Sequence, residues 1–389
     1  MNYHKILAQP VREMKPSGIR RFFTLAAERK NVISLSVGEP DFATPLAARQ
    51  AAIRDLEQGN TKYTANAGMK ELREEIARYL TRFDLTYDPE KEMFVTVGGS
   101  EAIDLAIRAL IEPGDEVIVV EPCFVCYAPM AQVCHAKVVH VSTKPENGFA
   151  LTPEELRAAL TPKTKLLVLP FPSNPTGGIM TRKQLEAIAE VLRGTDVVVL
   201  SDEIYAELTY NGLHHVSIAS IEGMRERTIV VNGFSKAYAM TGWRLGYACG
   251  PEPLISEMLK LHQYAIMCAP TVSQTAAITA MRECEEDIIH MRESYDARRR
   301  MVVDRLNAMG LETFEPRGAF YAFPCIRSSG LSSEEFCQRL LEEKDVAIVP
   351  GNAFGEAGEG YARISYCYSA EHLTTALDRI EEFLKELKK

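Results

Sequence analysis

A lysine follows an apolar run in the stretch from Val230 to Gly250, which reads VVNGFSKAYAMTGWRLGYACG. The run is typical of a buried strand, so we expect Lys236 at the end of a sheet, with Ser235 beside it and Arg244 shortly after. A lysine amine is costly in apolar surroundings unless it is paired, solvated or used chemically. Lys236 is therefore a candidate catalytic residue, and a purely structural salt bridge is the alternative.

Two other apolar runs end in turns whose residues could bind an anion or a polar group. In TVGGSEAIDLAIRAL, Gly99, Ser100 and Glu101 stand between a strand and a helix. Their N–H groups and the positive end of the helix dipole suit a phosphate, although glycine also occurs at such turns for steric reasons alone. In LPFPSNPTGG, the flanking prolines restrict the backbone and could aim the amide of Asn174, or Asn174 simply forms the turn.

The run VVVLSDEIYAEL ends in two carboxylates and a tyrosine, Asp202, Glu203 and Tyr205. A carboxylate at the carboxyl end of a buried parallel strand faces the crevice in which such sheets bind ligands. We expect Asp202 to lie deep and to need a cationic partner, and Glu203 to cap a following helix. In the alternative in which Lys236 has only a structural role, its amine forms a buried salt bridge with Asp202.

The elements that must position these residues follow from hydrophobic periodicity. From about residue 94 onwards, apolar β-branched runs alternate with helical segments such as residues 100–111, where three apolar residues share one face. Strands that are apolar on both sides and alternate with helices predict an α/β fold with a mostly parallel central sheet and helices on both faces. In TPEEL, Thr152 and Glu155 form the capping-box pattern of a helix start.

The C-terminal third has a different pattern. A helical region over residues 273–309 is followed by short strands at FYAFP, VAIVP and ARISY and by an amphipathic helix over about residues 371–387. We therefore expect a smaller α+β domain beside the sheet domain. The predicted division is an N-terminal arm, 1–45, that joins the small domain, a large cofactor-binding domain, 46–285, and a small C-terminal domain, 286–389.

Composition argues against several classes of protein. The chain has 389 residues and a net charge of −9, which disfavours a nucleic-acid-binding surface. Its sequence has no apolar stretch long enough to span a membrane, and its N-terminus lacks the apolar core of a signal peptide. Nine scattered cysteines indicate reduced thiols in a cytoplasmic protein. Cys123 and Cys126 form a C-x-x-C, but adjacent Cys134 and His135 would hardly reach one ion together, so buried thiols are favoured and no metal is expected.

One cofactor requires all of the candidate groups at once. Pyridoxal 5′-phosphate (PLP) uses a lysine for a Schiff base, a carboxylate that keeps its pyridine nitrogen protonated, hydrogen bonds to its phenolic oxygen and an anion site. Lys236, Asp202, Tyr205, Asn174 and the turn at residues 99–101 supply this set. The lysine amine is then used chemically, which explains its position at the end of a strand.

The chain resembles the fold type I PLP enzymes, and among them the class I/II aminotransferases of the aspartate aminotransferase family. The resemblance covers nearly the whole chain, from about Gly18 to Tyr366. Within the family it is most similar to the bacterial branch that holds aspartate, aromatic and N-acetyl-diaminopimelate aminotransferases. Its motifs are highly specific in combination: SVGEPDF, YTANAGMKELREEIARYL, PSNPTGG, SDEIY, SKAYAMTGWRLGY and ARISY.

The resemblance implies a role for each site residue. Lys236 binds the cofactor covalently and then transfers protons, Asp202 pairs with the pyridine nitrogen, and Tyr205 completes the catalytic set. The residues implied to hold the cofactor are Gly99, Ser100, Glu101, Phe124, Asn174, Asp202, Tyr205, Ser235, Lys236, Arg244 and, from the neighbouring subunit, Tyr63.

The resemblance also implies how substrates and subunits meet. Arg363 binds the substrate α-carboxylate as a two-pronged clamp, assisted by Asn174 and the backbone N–H of Gly38. Because Tyr63 reaches the phosphate of the neighbouring subunit, the protein is expected to be a homodimer with shared active sites. Phe124 departs from the family, in which this position often carries Tyr or Trp, and it can stack on the cofactor ring but cannot donate a hydrogen bond.

The resulting prediction is a PLP-dependent aminotransferase that moves an amino group from an L-amino acid to 2-oxoglutarate by a ping-pong mechanism. Its partners are then small amino and keto acids, without nucleic acid or membrane. An acidic or N-acyl-diaminopimelate-like donor is favoured, because Arg20 and Arg21 in SGIRRFF could meet a distal carboxylate, although both could equally be solvated. An aromatic donor is the alternative, since Phe22, Phe23 and Phe124 could line an apolar pocket.

Two rival functions share parts of this pattern. A PLP-dependent C–S β-lyase would use the same residues, and its release of ammonia without any keto acid would distinguish it. Some transcription regulators carry an aminotransferase-like domain as an effector sensor. That class is disfavoured because the resemblance begins by about Gly18 and leaves no room for a DNA-binding region before it.

Overall fold

The computed structural model describes residues 1–14, 16, 18, 29 and 31–387. Among these residues no helix combines the length and the apolar character needed to cross a membrane. The strands are β1 (Ile33–Ser34), β2 (Met93–Thr96), β3 (Glu116–Glu121), β4 (Lys137–Ser142), β5 (Thr164–Leu169), β6 (Val198–Asp202), β7 (Thr228–Gly233), β8 (Gly246–Cys249), β9 (Tyr321–Ala322), β10 (Val346–Ala347), β11 (Val349–Pro350) and β12 (Ala362–Ser365). The α-helices are α1 (Tyr3–Ile6), α2 (Gln9–Glu13), α3 (Leu46–Glu57), α4 (Lys70–Leu80), α5 (Gly99–Leu110), α6 (Tyr127–Val133), α7 (Pro153–Ala159), α8 (Arg182–Leu192), α9 (Glu252–Ala265), α10 (Thr271–Glu283), α11 (Glu285–Ala308), α12 (Ser333–Lys344) and α13 (Ala370–Leu387).

A seven-stranded sheet lies at the centre of the fold, with the strand order β2-β8-β7-β6-β5-β3-β4. β8 runs antiparallel to both of its neighbours, β2 and β7, and the other neighbouring pairs are parallel. In the parallel register, Val119 of β3 lies opposite His140 on one side and Val168 on the other. The prediction of an α/β fold with a mostly parallel sheet is confirmed.

Alternate residues of the central strands pack on opposite faces of the sheet. In β3, Val117 and Val119 belong to an apolar cluster with residues of α5, whereas Ile118 and Val120 belong to a cluster with residues of α7 and α8. All residues of β3 are buried. Both faces are therefore covered, which is why these strands read as continuous apolar runs.

One edge of the sheet collects the segments that carry the predicted site. Because β2 and β7 both run antiparallel to β8, they are parallel to each other and to β3, β5 and β6. The carboxyl ends of these five strands therefore lie at the same edge, where open α/β sheets bind ligands. The amino end of β8 lies there too, and Arg244 stands two residues before it.

A second apolar core lies in the C-terminal part of the chain. β11, β12 and β9 form a small antiparallel sheet in that order. Tyr295 of α11, Tyr321 of β9, Phe336 of α12 and Leu377 of α13 belong to one buried cluster on it. β1 pairs in parallel with β10, so an N-terminal segment is hydrogen-bonded to this part of the chain. The boundaries of the domains stay a prediction.

Two local expectations differ from the structure. The helical region predicted over residues 273–309 is divided into α10 and α11, because Cys284 between them has φ −112° and ψ 27°, outside the helical range. Glu203 does not cap a helix, since residues 204–207 form turns. Its buried carboxylate instead accepts hydrogen bonds from Ser201 Oγ at 2.7 Å and Ser217 Oγ at 2.6 Å, which satisfy it inside the core.

The capping box predicted at the start of α7 is confirmed, and it gives a test of stability. The Thr152 hydroxyl accepts from the Glu155 N–H at 3.3 Å, and the Glu155 carboxylate accepts from the Thr152 N–H at 2.9 Å. Thr152→Ala removes one acceptor and should lower the free energy of unfolding in urea by about 1 kcal/mol. Thr152→Ser keeps the hydroxyl and should match the wild type, whereas an alanine variant of wild-type stability would contradict the role of the cap.

Candidate active site

A cavity of about 620 Å³ lies at the carboxyl edge of the central sheet, next to the small C-terminal sheet. Eleven of the thirteen predicted site residues line it, and Glu101 and Tyr63 do not. The residues come from the ends of separate strands, so the sheet edge brings together positions that are far apart in the chain.

Lys236 lies in the wall of the cavity, just after β7. Its Nζ donates a hydrogen bond to the carbonyl oxygen of Gly38 at 2.7 Å and stands 5.9 Å from the ring centroid of Tyr205. The pKa of Lys236 is lowered to about 8, chiefly by burial and also by the positive charges of Arg363 and Arg244, whereas Cys367 and Glu39 act in the opposite direction. A larger share of the amine is therefore neutral near pH 7 than for an exposed lysine, and a neutral amine is the nucleophilic form.

Asp202 is the last residue of β6, and its buried carboxylate lines the same cavity. The Tyr127 hydroxyl donates to Asp202 Oδ2 at 2.7 Å, and the Ile204 N–H donates to Oδ1 at 3.2 Å. Burial raises the pKa of Asp202, whereas these two donors and the charge of Lys236 lower it. Among the described contacts its close partner is thus a phenol rather than a cation, and the structural salt bridge with Lys236 is not formed.

Arg363 lies in β12 and lines the cavity. Its Nη1 donates to Asn174 Oδ1 at 2.9 Å, its Nη2 donates to the Ser36 carbonyl oxygen, and its guanidinium lies 4.5 Å from the ring centroid of Tyr321. In the part of the chain that the structure describes, its buried Nε has no hydrogen-bond partner. A buried guanidinium with an unused donor fits an arriving carboxylate.

Tyr205 and Tyr321 form a pair of buried phenols beside Arg363. Their hydroxyl oxygens are 2.8 Å apart, and burial raises the pKa of both. Gly38 packs against the Tyr321 hydroxyl so closely that a Cβ at position 38 would overlap it. The backbone of Gly38 therefore lies at the cavity wall only because it has no side chain.

The turn before α5 forms a cradle for an anion. Gly98 precedes the helix with φ 76°, and a Cβ there would lie 2.6 Å from Arg244 Nη2, so only glycine lets the guanidinium approach. Gly99 and Ser100 begin the helix, and Ser235 also lines this part of the cavity. A helix N-terminus, a hydroxyl and a guanidinium together suit a phosphate group.

Glu101 is turned away from the cavity. Its N–H donates to the Gly98 carbonyl oxygen at 3.2 Å, and its carboxylate contacts His262 Nδ1 at 2.7 Å and the Val97 N–H. The backbone donor that was predicted to meet a phosphate is thus used within the helix start. Tyr63 is 79% exposed and lies on the surface of the single chain.

Phe124 lines the cavity and makes an edge-to-face contact with Tyr127, with ring centroids 6.3 Å apart.

The neighbouring Cys123 is a buried thiol, and all nine cysteines are free. Among the described residues, no group of three or more His, Cys, Asp or Glu side chains is arranged to hold a metal ion.

Sequence reasoning did not find Tyr127 or Tyr321, although both line the cavity and hold predicted site residues. Each lies among apolar residues, in CFVCY and in GAFYAF. A tyrosine in such a setting needs a partner for its hydroxyl, and this was the one signal available. Its partners are distant in the chain, so the sequence pattern does not identify them.

The family of the chain follows from a comparison of its sequence. Residues 30–380 match the family described as "Aminotransferase class I and II". The chain belongs to this family. It is an aminotransferase, and the cavity just described is its candidate active site.

Named relatives of this aminotransferase cover almost its whole length. The "Probable N-acetyl-LL-diaminopimelate aminotransferase" of Bacillus subtilis (strain 168) is 46% identical, with 97% of this chain and 96% of the relative covered. The "Aspartate aminotransferase" of Pyrococcus abyssi (strain GE5 / Orsay) is also 46% identical, with 96% and 97% covered. The crystal structure of an aromatic aminotransferase from Pyrococcus horikoshii OT3 has 44% identity and a TM-score of 0.90, with 94% and 99% covered.

The low pKa of Lys236 gives a test of its burial. Below pH 8 the lysine is charged in both folded and unfolded chains, so the folded state bears the full cost of burying the charge. That cost disappears as the pH rises from about 8 to the usual 10.5, where the unfolded chain also becomes neutral. Without cofactor, Lys236→Met should be more stable than the wild type at pH 7, by on the order of 2–3 kcal/mol.

The stability advantage of Lys236→Met should then shrink between pH 8 and pH 10.5 in urea unfolding series. Lys165→Met, at an exposed lysine of β5, is the matched control and should show no such pH trend. A constant difference between Lys236→Met and the wild type over this range would contradict the burial of a titrating amine.

Proposed function

We propose that this aminotransferase uses PLP to move an amino group from an L-amino acid to 2-oxoglutarate by a ping-pong mechanism. The observation that carries the proposal is that one cavity holds a buried lysine of lowered pKa, a buried carboxylate and an arginine with an unused donor. The class of the enzyme is that of its family, and the cofactor and the residues that hold it are what we infer.

The residues of the cavity fit each group of PLP. The cradle at Gly98, Ser235 and Arg244 suits the phosphate, and it depends on a position that a Cβ would fill. Asp202 offers a buried negative charge for the pyridine nitrogen, and the ring of Phe124 offers an apolar face. When bound, PLP supplies an electron-withdrawing ring that makes the Cα proton of the attached amino acid acidic.

Asn174 is oriented for two tasks at once. Its Oδ1 accepts from Arg363 Nη1, which leaves its NH₂ group free to donate elsewhere. We infer that this NH₂ group and the Tyr205 hydroxyl donate to the phenolic oxygen of the cofactor. The Tyr321 hydroxyl, 2.8 Å from that of Tyr205, holds the Tyr205 phenol in place.

Lys236 is assigned two roles in the reaction. Its amine would hold the cofactor covalently, and it would be free to act as a base once a substrate amine is bound. The free Nζ then removes the proton from the substrate Cα and returns a proton to the product side. A base with a pKa of about 8 is suited to both steps near neutral pH, because it can accept and donate a proton at similar cost.

Arg363 is assigned the substrate α-carboxylate. Its Nη1 and Nη2 are fixed by Asn174 and Ser36, and its free Nε completes the donor edge for a carboxylate oxygen. The N–H of Gly38 is a further donor on this wall. Donor amino acid and acceptor keto acid share the α-carboxylate, so one clamp serves both halves of a ping-pong cycle.

For the amino donor we infer an acidic amino acid or an N-acyl diaminopimelate. Two of the relatives carry the names of enzymes for such substrates, and the third is named for aromatic ones. Among the described residues that line the cavity, the cationic ones are Lys236, Arg244 and Arg363. We have assigned these to the covalent bond and proton transfer, to the phosphate and to the α-carboxylate. A distal carboxylate then needs another cation. The predicted residues for it, Arg20 and Arg21, and the alternative apolar pair, Phe22 and Phe23, lie outside the described residues.

We also propose a homodimer in which Tyr63 contributes to the neighbouring active site. Tyr63 is an exposed apolar side chain, as are Tyr264, Ile266 and Met267, of which Tyr264 is 88% exposed. Asn66 Nδ2 donates to the Met267 carbonyl oxygen at 2.8 Å, so the segments around residues 63–66 and 264–267 are hydrogen-bonded to each other. Several exposed apolar side chains on two joined segments suit a protein interface. We retain the predicted domain boundaries and the predicted cytoplasmic location as proposals.

The direct test of the proposed chemistry is Lys236→Ala. Transamination should fall by at least about 10²–10⁴, the usual effect of removing a general acid and base. The variant should still bind PLP without a covalent bond, because the anion cradle is unchanged. Lys163→Ala, at an exposed lysine before β5, is the control and should react as the wild type does. Wild-type turnover by Lys236→Ala would refute the role of this lysine.

The dimer is tested by mixing two inactive variants. Lys236→Ala keeps Tyr63, and Tyr63→Ala keeps Lys236 and Arg363, which line one cavity of the same chain. If active sites are shared, exchange of subunits forms one intact site in each mixed dimer, and part of the activity returns. A mixture that stays inactive after verified exchange would count against Tyr63 acting across the interface, as would a fully active monomer by light scattering.

The choice of donor is tested by a single-turnover screen of L-amino acids, followed by the loss of the visible cofactor band. Aspartate or an N-acyl diaminopimelate should react at least about tenfold faster than aromatic amino acids, since a site built for a polar group discriminates strongly. Ammonia release without a keto acid would indicate the C–S β-lyase instead. Faster aromatic donors, together with an unchanged Arg20→Ala variant, would show that the acidic preference is wrong.

A further inference from the structure

Tyr127 holds the catalytic carboxylate in a fixed orientation. It is the first residue of α6 and only 1% exposed, and its hydroxyl donates to Asp202 Oδ2 at 2.7 Å. The Ile204 N–H donates to the other oxygen, Oδ1, at 3.2 Å. Because each carboxylate oxygen has its own donor, the side chain of Asp202 cannot rotate without breaking a buried hydrogen bond.

The charges around Asp202 make this contact important. Glu203 adds a like charge beside it, whereas Lys236 provides the nearby positive charge. The Cys126 thiol and the Tyr205 phenol also lie within electrostatic reach, and burial raises the pKa of both, so both are neutral. The Tyr127 phenol therefore supplies the side-chain hydrogen bond to Asp202, and burial raises the pKa of Tyr127, which keeps it a neutral donor.

Tyr127 also links this carboxylate to the apolar wall of the cavity. Its ring contacts that of Phe124 edge to face, with ring centroids 6.3 Å apart. Phe124, Tyr127 and Asp202 all line the cavity. A residue that only filled space here could be phenylalanine, since among the residues that the structure describes the hydroxyl makes one hydrogen bond, to Asp202. The hydroxyl thus has a purpose that packing does not explain.

We propose that Tyr127 is a positioning residue, whose hydroxyl fixes the Asp202 carboxylate in the orientation in which its charge pairs with the pyridine nitrogen of PLP. The proposal rests on the proposed function, in which Asp202 has that role. Tyr127 itself does not take part in proton transfer. The effect of its hydroxyl on the cofactor passes through Asp202, and this distinguishes the role from packing alone.

The test is a double-mutant cycle on cofactor binding. Cofactor-free wild type, Tyr127→Phe, Asp202→Asn and the double variant are each titrated with PLP by calorimetry. Tyr127→Phe should weaken PLP binding about tenfold or more in the wild-type background, as expected for a lost hydrogen bond to a charged group. In the Asp202→Asn background the same change should weaken binding by less than about threefold, because the charge that Tyr127 holds is absent.

Tyr210→Phe is the matched control for loss of a buried phenol. The Tyr210 hydroxyl donates to the Ala319 carbonyl oxygen, and Tyr210 is buried but does not line the cavity. This variant should bind PLP as the wild type does. If Tyr127→Phe weakens PLP binding equally in both backgrounds, Tyr127 acts through packing. If it weakens PLP binding in neither, the Tyr127 hydroxyl is not needed to orient Asp202. Both results would overturn the proposal.

A second measurement keeps the test independent of the folding of Tyr127→Phe. Replacing Tyr127 with 3-fluorotyrosine retains the ring and its hydroxyl, and the ¹⁹F resonance reports the environment of the phenol. The resonance should shift when Asp202→Asn is introduced and again when PLP is added, and an unmoved resonance would overturn the proposal. A wild type that binds no PLP would overturn the proposed function together with this inference. If the wild type binds PLP and only the comparison of variants fails, the inference alone is overturned.

Discussion

A buried carboxylate and a buried amine share one cavity without pairing, and the rest of the site is arranged around this constraint. Burial raises the pKa of Asp202 and lowers that of Lys236, so the surroundings oppose both charges. A direct salt bridge would stabilise both charges, but it would occupy the amine and the carboxylate and leave neither available to a ligand. Instead the Tyr127 hydroxyl holds Asp202, and the Gly38 carbonyl oxygen holds Lys236. The two groups stay available for a ligand that lies between them.

The sheet provides the separation that this arrangement needs. Asp202 ends β6 and Lys236 follows β7, and these neighbouring strands run in parallel. Their backbones are fixed by the ladder of hydrogen bonds and by apolar clusters on both faces, so neither side chain is free to move toward the other by a shift of its strand. The loop at Gly38 reaches the cavity from the N-terminal segment that pairs with β10. The C-terminal sheet adds Arg363 from β12, so two parts of the chain complete one site.

The fold was largely predictable because its signals are local. Continuous apolar runs between helical segments predict a covered parallel sheet, and polar residues at the ends of such runs predict a site at one edge. This reasoning predicted Lys236, Asp202 and the turn before α5 as site residues, and the structure places Lys236, Asp202, Gly99 and Ser100 around one cavity. Arg363 was different, since nothing in ARISY marks a binding residue and its assignment came from the resemblance to a family.

The remaining features depend on contacts between distant residues. Tyr127 and Asp202 are 75 positions apart, and Tyr205 and Tyr321 are 116 apart, so no local pattern joins them. Glu101 was expected to offer its N–H to a phosphate. In the structure that N–H donates to the Gly98 carbonyl oxygen, and the carboxylate contacts the buried His262 of α9. The side chains that hold other site residues in place are therefore found only in the three-dimensional structure. The candidate reactive groups could be predicted from the sequence, because they stand at the ends of apolar strands.

The central claim is that the amine of Lys236 reacts with the cofactor, and chemical trapping tests it most directly. The protein is incubated with PLP, reduced with borohydride, digested, and mapped by mass spectrometry. We expect one phosphopyridoxyl group per chain, on the peptide that contains Lys236, and none on that peptide when the protein is first saturated with a PLP analogue that lacks the aldehyde. A modification on another lysine, or no modification of a protein that binds PLP, would contradict the claim.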